Sequence, residues 1–174
     1  MIASLSIENL NVCIDHLNHH PEFLNEINGW LFKEWTTWYE DWGINNEKAA
    51  FKDLIKDINR SKREGLPIMI VAYVGTRPIG CIGLDKTDMP NPPKDIIGFG
   101  PWIVNVYVID EFRGKGLGSI LVKTMMDSVK ENKIKNVYLL TDNKKGFYER
   151  LGWVEKGIVK YLDKLYFFME FKYP

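Results

Sequence analysis

The sequence predicts a mixed α+β fold built on one largely antiparallel sheet, and three stretches predict it. Ile68 to Val74 and Arg77 to Leu84 are strand-like runs joined by Gly75-Thr76, the pattern of a hairpin. Trp102 to Val108, β-branched and aromatic, leads through a glycine-rich turn and an amphipathic helix to the short apolar run Val137 to Thr141. A strand–helix–strand connection of this kind makes its two strands parallel, with a right-handed crossover. Val154 to Val159 and Tyr161 to Phe171 then close the chain as an antiparallel pair. With 174 residues, 45% hydrophobic and 26% charged, the chain is read as one domain, 1–174, large enough to bury a sizeable core.

In chain order, Leu5 to Leu10 reads as an opening strand ended by Asn9 and Asn11. His16, His19 and His20 fall in a loop or helix start ahead of Pro21, and nothing nearby completes a metal-ligand set. Pro21 suits a first helical turn. Leu24, Ile27, Leu31 and Trp35 then recur at steps of three and four, so the pattern predicts a helix running to about Trp38. The segment TTWYEDWGINN that follows concentrates aromatics and acids, with Gly43 ending it. Asn46 is placed to cap a second helix, whose apolar face is Ala50, Phe51, Leu54, Ile55 and Ile58 and whose end is basic. Asp85 to Gly100 holds three prolines and three acids and reads as a long irregular loop; loops beyond about 12 residues in compact domains usually serve function. It is expected to border a binding site.

The organising stretch is Pro101 to Asn132. After the strand come Asp110 and Glu111, then Arg113-Gly114-Lys115-Gly116-Leu117-Gly118, then a helix with Ile120, Leu121, Thr124, Met125 and Val129 on one side. A loop with three glycines brings backbone N–H groups close to a ligand, and the helix behind it adds a partial positive charge, so the stretch is an anion site. A P-loop would need Lys-Ser or Lys-Thr after the last glycine, whereas Gly118 precedes Ser119 and Ile120. A dinucleotide fingerprint would need G-x-G-x-x-G directly after the strand; here it is G-x-G-x-G behind the link from Ile109 to Arg113, although Asp142 does follow the next strand.

Arg113, Gly116 and Gly118 in the pattern R-x-x-G-x-G resemble the pyrophosphate-binding motif of the GNAT superfamily of acyl-CoA N-acyltransferases. About 30 residues on, Phe147-Tyr148-Glu149-Arg150-Leu151-Gly152-Trp153 resembles that superfamily's second signature, a short helix ended by glycine and followed by a strand. The resemblance runs from about Ile68 to the end. It implies a three-layer α/β/α fold in which the strands Trp102 to Val108 and Val137 to Thr141 splay apart and admit acetyl-CoA as co-substrate. The backbone of Val106, Tyr107 and Val108 would then meet the pantetheine arm, while Arg113, Gly114, Lys115, Gly116, Leu117, Gly118 and Ser119 would hold the pyrophosphate. Thr141 stands where many relatives have an asparagine, which leaves Asn143 as the substitute contact.

The same resemblance implies transfer of an acetyl group to a primary amine of a small molecule or peptide, directly within a ternary complex. Tyr148 matches the tyrosine that protonates the departing thiolate, a catalytic role. The connection between the first two helices overhangs the acceptor pocket in this superfamily, so Trp38, Glu40 and Asp41, with Asp85 and Asn105, are the candidate acceptor contacts. For the base, Asp85, Asp88, Glu40 and Asp41 remain open, as does water held by Asn105 or Tyr107. A covalent route through Cys13 or Cys81 is disfavoured because both lie in apolar segments. A non-catalytic acetyl-CoA-binding sensor of the same fold is the alternative function.

Lys plus Arg and Asp plus Glu number 23 each, so no global field favours nucleic acid. Two distant cysteines argue against a disulfide scaffold, and no metal ligand set is expected. No apolar run approaches a membrane span and no signal-peptide pattern opens the chain, so a cytoplasmic location is expected. Superfamily habit allows a homodimer.

Overall fold

The computed structural model describes residues 1–173. Eight strands form one sheet: β1 (Ala3–Ile7), β2 (Leu10–His16), β3 (Ile68–Val74), β4 (Arg77–Asp85), β5 (Trp102–Val108), β6 (Asn136–Thr141), β7 (Val154–Tyr161) and β8 (Lys164–Lys172), in the order β1-β2-β3-β4-β5-β6-β8-β7. Every neighbouring pair is antiparallel except β5 and β6. The helices are α1 (Leu24–Glu34), α2 (Thr36–Asp41), α3 (Glu47–Glu64), α4 (Leu117–Glu131) and α5 (Lys145–Glu149).

The continuous apolar run of β3 has a simple cause: both faces of the sheet are covered there. Ile70 and Ala72 join the core beneath α4, to which that helix gives Leu121, Met125 and Val129, while Met69 and Val71 join a second core beneath α1 and α3, with Ile27, Leu31 and Leu54. This is the three-layer arrangement. A third cluster, around Trp102, Tyr138, Tyr161, Tyr166 and Phe168, packs the far half of the sheet against the loop that follows β4, through Met89 and Ile96. The expected cap of α3 is present, with the Asn46 side chain accepting from the Ala49 amide at 2.9 Å.

Three boundaries differ from expectation. The opening strand is a hairpin rather than a single run, because Glu8 and Asn9 both take positive φ (50° and 67°) and turn the chain back into β2. His16 therefore ends a strand. The first long helix is broken: Trp35 leaves helical geometry at φ −118°, ψ 36°, and α2 starts anew as a six-residue helix with no buried residue. The loop between β4 and β5 is irregular as expected, apart from one 3-10 turn at Lys94–Ile96.

Candidate active site

β5 and β6 touch at one registered pair, Trp102 with Tyr138, and diverge beyond it. On its other side β5 stays paired with β4 along its length. The Ile109 amide bonds the Ile79 carbonyl at 3.1 Å, which makes Gly80 and Val108 a non-hydrogen-bonded pair and turns the N–H and C=O of Val108 away from β4, toward the gap. A bulge assists the divergence. The register between β4 and β5 slips between Cys81 and Gly83, and opposite the slip Asn105 takes φ +55°. Gly80 permits the close approach that results, since a Cβ there would sit 2.8 Å from the Tyr107 carbonyl oxygen.

A cavity of about 770 Å³ follows this gap. Val104, Asn105, Val106, Tyr107 and Val108 form one wall, and Leu139, Leu140, Thr141 and the α5 residue Tyr148 face them. Arg113, which follows the end of β5, and Asn143 and Lys144, which follow the end of β6, line the cavity as well. Trp38 and Tyr39 of α2, Asp53, Asp57 and Arg60 of α3, Asp85 at the end of β4 and Asp88 after it also line the cavity.

Electrostatics divide the cavity. At the carboxylate-rich end Arg60 bridges Asp57 (3.0 Å) and Asp85 (2.7 Å). Burial and the nearby Asp85 charge push Asp57 up to about 6, and the same two causes push Asp88 up to about 7. Burial also raises Asp85. Tyr148 is buried, and burial together with the charge of Asp88 holds its phenol above the usual range. It is therefore neutral at physiological pH.

At the other end α4 opens with Gly116 in left-handed geometry (φ +85°), a conformation that glycine adopts without strain. The first amides of this 15-residue helix have no partner within it. Arg113 bonds the Val108 carbonyl (2.8 Å) and Asp110 (2.6 Å), with its guanidinium 5.5 Å from the Tyr107 ring centre. Lys115 pairs with Glu8 at 2.5 Å. Both cations are thus held at the loop by carboxylates.

Of the residues singled out from sequence, Val106, Tyr107, Val108, Arg113, Asn143 and Tyr148 share the cavity wall, as do Trp38, Asp85 and Asn105. Gly114, Lys115, Gly116, Leu117, Gly118 and Ser119 continue past Arg113 outside that wall, and the Leu117 side chain is a core residue at 1% exposure. Glu40 and Asp41 depart from expectation. Helix α2 turns Glu40 to solvent, and Asp41 accepts a hydrogen bond from the Tyr161 hydroxyl, so neither lines the cavity. Cys81 is buried, with its thiol pushed up to about 12 by burial, and neither cysteine reaches the cavity. Sequence reasoning missed Asp53, Asp57 and Arg60. Their signal was present: they recur at i, i+4 and i+7 along the second predicted helix, a polar stripe beside its apolar one. Among the described residues no group of His, Cys, Asp and Glu side chains has metal-site geometry, and no helix is long and apolar enough to cross a membrane.

The sequence that folds into these splayed strands and this glycine-opened helix matches a known family model. Residues 26–153, more than half of the chain, match the acetyltransferase (GNAT) family. The chain belongs to the GNAT family. An uncharacterised N-acetyltransferase of Methanocaldococcus jannaschii is 26% identical over 132 residues; the match covers 74% of this chain and 49% of that relative, so the chain spans about half its length. GNAT-like folds recur among solved structures. The PaiA N-acetyltransferase of Thermoplasma acidophilum in complex with coenzyme A superposes with a TM-score of 0.65 at 22% identity, covering 93% of this chain and 99% of that one. An aminoglycoside 6'-N-acetyltransferase complexed with coenzyme A gives 0.67 at 16% identity, over 92% and 96%. The ribosomal-protein-alanine N-acetyltransferase of Brucella melitensis gives 0.68 at 17%, over 92% and 99%.

Proposed function

We propose that this GNAT chain moves an acetyl group from acetyl-CoA to a cationic primary amine of a small molecule or peptide, directly, within a ternary complex. One observation carries the reading: a single cavity joins the unpaired edge of β5 to an end rich in carboxylates. When bound, acetyl-CoA supplies an acyl group activated as a thioester. The residues present fit it. Val108 offers its N–H to the gap as an added strand would require, its carbonyl already accepting from Arg113, and the amides from Gly116 to Ser119 open toward an anion, with Arg113 and Lys115 beside them. Asn143 lies on the same wall for the pantetheine arm.

Asp53, Asp57, Asp85 and Asp88 share the cavity with Arg60 and Lys164, and a positively charged amine relieves the repulsion that, with burial, raises Asp57 and Asp88. Trp38 adds an aromatic face suited to a cation or its alkyl chain. Tyr148, which lines the same cavity, serves as the proton donor for the leaving sulfur. The burial of Cys81 disfavours an acyl-cysteine route. With an acetyl-CoA donor, the cytoplasm is the expected location.

Thiol release from acetyl-CoA, measured across primary amines carrying one, two and three positive charges, tests the proposal. The expected result is a kcat/KM that rises with acceptor charge. Thiol release from none of them, while acetyl-CoA still raises the melting temperature, would instead support a non-catalytic acetyl-CoA-binding module.

A further inference from the structure

We propose that Asp88 is the general base of this transfer, and that the proton it captures readies Tyr148 to give up its own. The inference rests on the transferase reading above and assigns the step that reading leaves without a residue.

The acceptor arrives as an ammonium ion, which is no nucleophile, so a group in the cavity must take a proton from it. The acids there are not equivalent. Asp85 and Asp57 are held by Arg60 at 2.7 and 3.0 Å, and Asp41 is occupied by Tyr161 outside the cavity wall. Glu34 and Asp142 are exposed, and Asp53 of α3 lines this cavity alone, whereas Asp88 also lines the second cavity described below. Asp88 is partly buried, and its side chain has no hydrogen-bond or ion-pair partner among the described residues. Of the cavity's carboxylates it is the one whose charge is felt by Tyr148. Burial and the Asp85 charge push its carboxyl up to about 7, near the pH at which a base must both exist ionised and hold a proton.

Asp85 on its own segment, Tyr148 on α5 and Tyr161 on β7 are the groups electrostatically linked to Asp88, while Asp53, Asp57 and Arg60 of α3 and Lys164 and Tyr166 of β8 line the same cavity and Lys86 lines the second one. Asp88 also lines a second cavity of about 210 Å³ with Thr87, Met89 and Phe99, large enough for several waters and thus a route by which the captured proton leaves.

The steps balance. Asp88 removes one proton from the ammonium. The freed amine forms the N–C bond to the acyl carbon as the C–S bond breaks, with that electron pair leaving on sulfur. Tyr148 gives its proton to sulfur, and its phenolate takes the second proton from nitrogen. Asp88 then releases its proton to water. The coupling lies in the order of events. While Asp88 is charged it holds the Tyr148 proton in place; once Asp88 is neutral that restraint is gone, and Tyr148 becomes the stronger acid just when the leaving group needs it.

Asp88→Asn tests both halves. In the wild type, kcat/KM for the acceptor rises with pH through about 7. In Asp88→Asn that limb disappears, kcat falls about 100-fold or more, and acetyl-CoA affinity stays within twofold, while Asp88→Glu restores the limb. With tyrosine rings labelled, the Tyr148 resonance titrates at lower pH in Asp88→Asn than in the wild type. Turnover within threefold of wild type, or the acidic limb surviving, would overturn the base assignment; an unmoved Tyr148 titration would overturn the coupling. A wild type that releases no thiol from any amine would overturn the transferase reading and this assignment together, whereas an active wild type with an equally active variant would sink the assignment alone.

Discussion

Trp102 stands opposite Tyr138 as the vertex at which β5 and β6 part, with ring centres 5.8 Å apart and the indole N–H bonded to the Phe99 carbonyl at 2.9 Å. The residue is 3% exposed and packs on Phe168 as well. It therefore holds both the far half of the sheet and the angle of the gap. Trp102→Ala removes a large buried ring and is expected to cost about 3–5 kcal/mol in urea unfolding, with weaker acetyl-CoA binding from the loosened vertex. A loss under about 1 kcal/mol would show that the vertex is held elsewhere.

Tyr148→Phe deletes a hydroxyl for which the structure shows no hydrogen-bond partner, so stability should hold within about 0.5 kcal/mol. Turnover is expected to drop about 100-fold or more, with acetyl-CoA affinity unchanged. Wild-type turnover in this variant would remove Tyr148 from the chemistry.

Helix α2 has no buried residue and is tied to the far half of the sheet by Asp41 on Tyr161 and by Trp38, edge-on to Tyr161 and Tyr166 at 4.9 and 5.6 Å. Tyr161→Phe cuts the polar tie and leaves the rings in place. A several-fold rise in the acceptor KM is the expected effect, with no change in acetyl-CoA affinity; an unaltered acceptor KM would mean that α2 does not shape the acceptor end.

Two groups of carboxylates give stability opposite pH dependences. Burial alone would raise Asp15, but hydrogen bonds from the His16 amide, the Met1 ammonium (3.1 Å), His20 and His19 outweigh it and hold the carboxyl at about 2. Its folded value lies below its unfolded one, so its contribution is complete above about 4 and is lost as the pH falls through about 2. Asp15→Asn should cost about 2 kcal/mol at pH 7 and little at pH 2. Asp88 runs the other way. Its folded value, about 7, lies above the unfolded one, so the folded state is stabilised relative to high pH only while the carboxyl is protonated, and stability declines as the pH rises from about 4 through about 7. Asp88→Asn should accordingly raise the melting temperature at pH 8 and leave it unchanged at pH 4. Melting curves at both pH values check the two signs.

The strands β3 to β6, the crossover helix and the glycine loop were legible because each is announced locally, by an apolar run, a turn glycine or helical spacing. β2 was not, since Asn11, Asp15 and His16 interrupt its alternation and the turn before it uses Glu8 and Asn9 rather than glycine. The break at Trp35 was hidden for a different reason. The helical spacing continues across it, and only packing decides that α2 turns toward Tyr161. In the site, residues on β5 and in the loop could be placed from their neighbours in sequence. Asp57 and Arg60 share one stripe of α3, but that Arg60 also reaches Asp85 on β4 is decided only by the fold.

The central claim is that an acyl-CoA lies between β5 and β6 with its pyrophosphate at the start of α4. An amide NMR titration with a non-reactive thioether analogue of acetyl-CoA tests it most directly. The account predicts saturable shifts at Val106, Val108 and Gly116 to Ser119, with β1 and the outer edge of β7 unaffected. Saturable binding that leaves those amides unmoved, or an absence of binding at millimolar analogue, would contradict it.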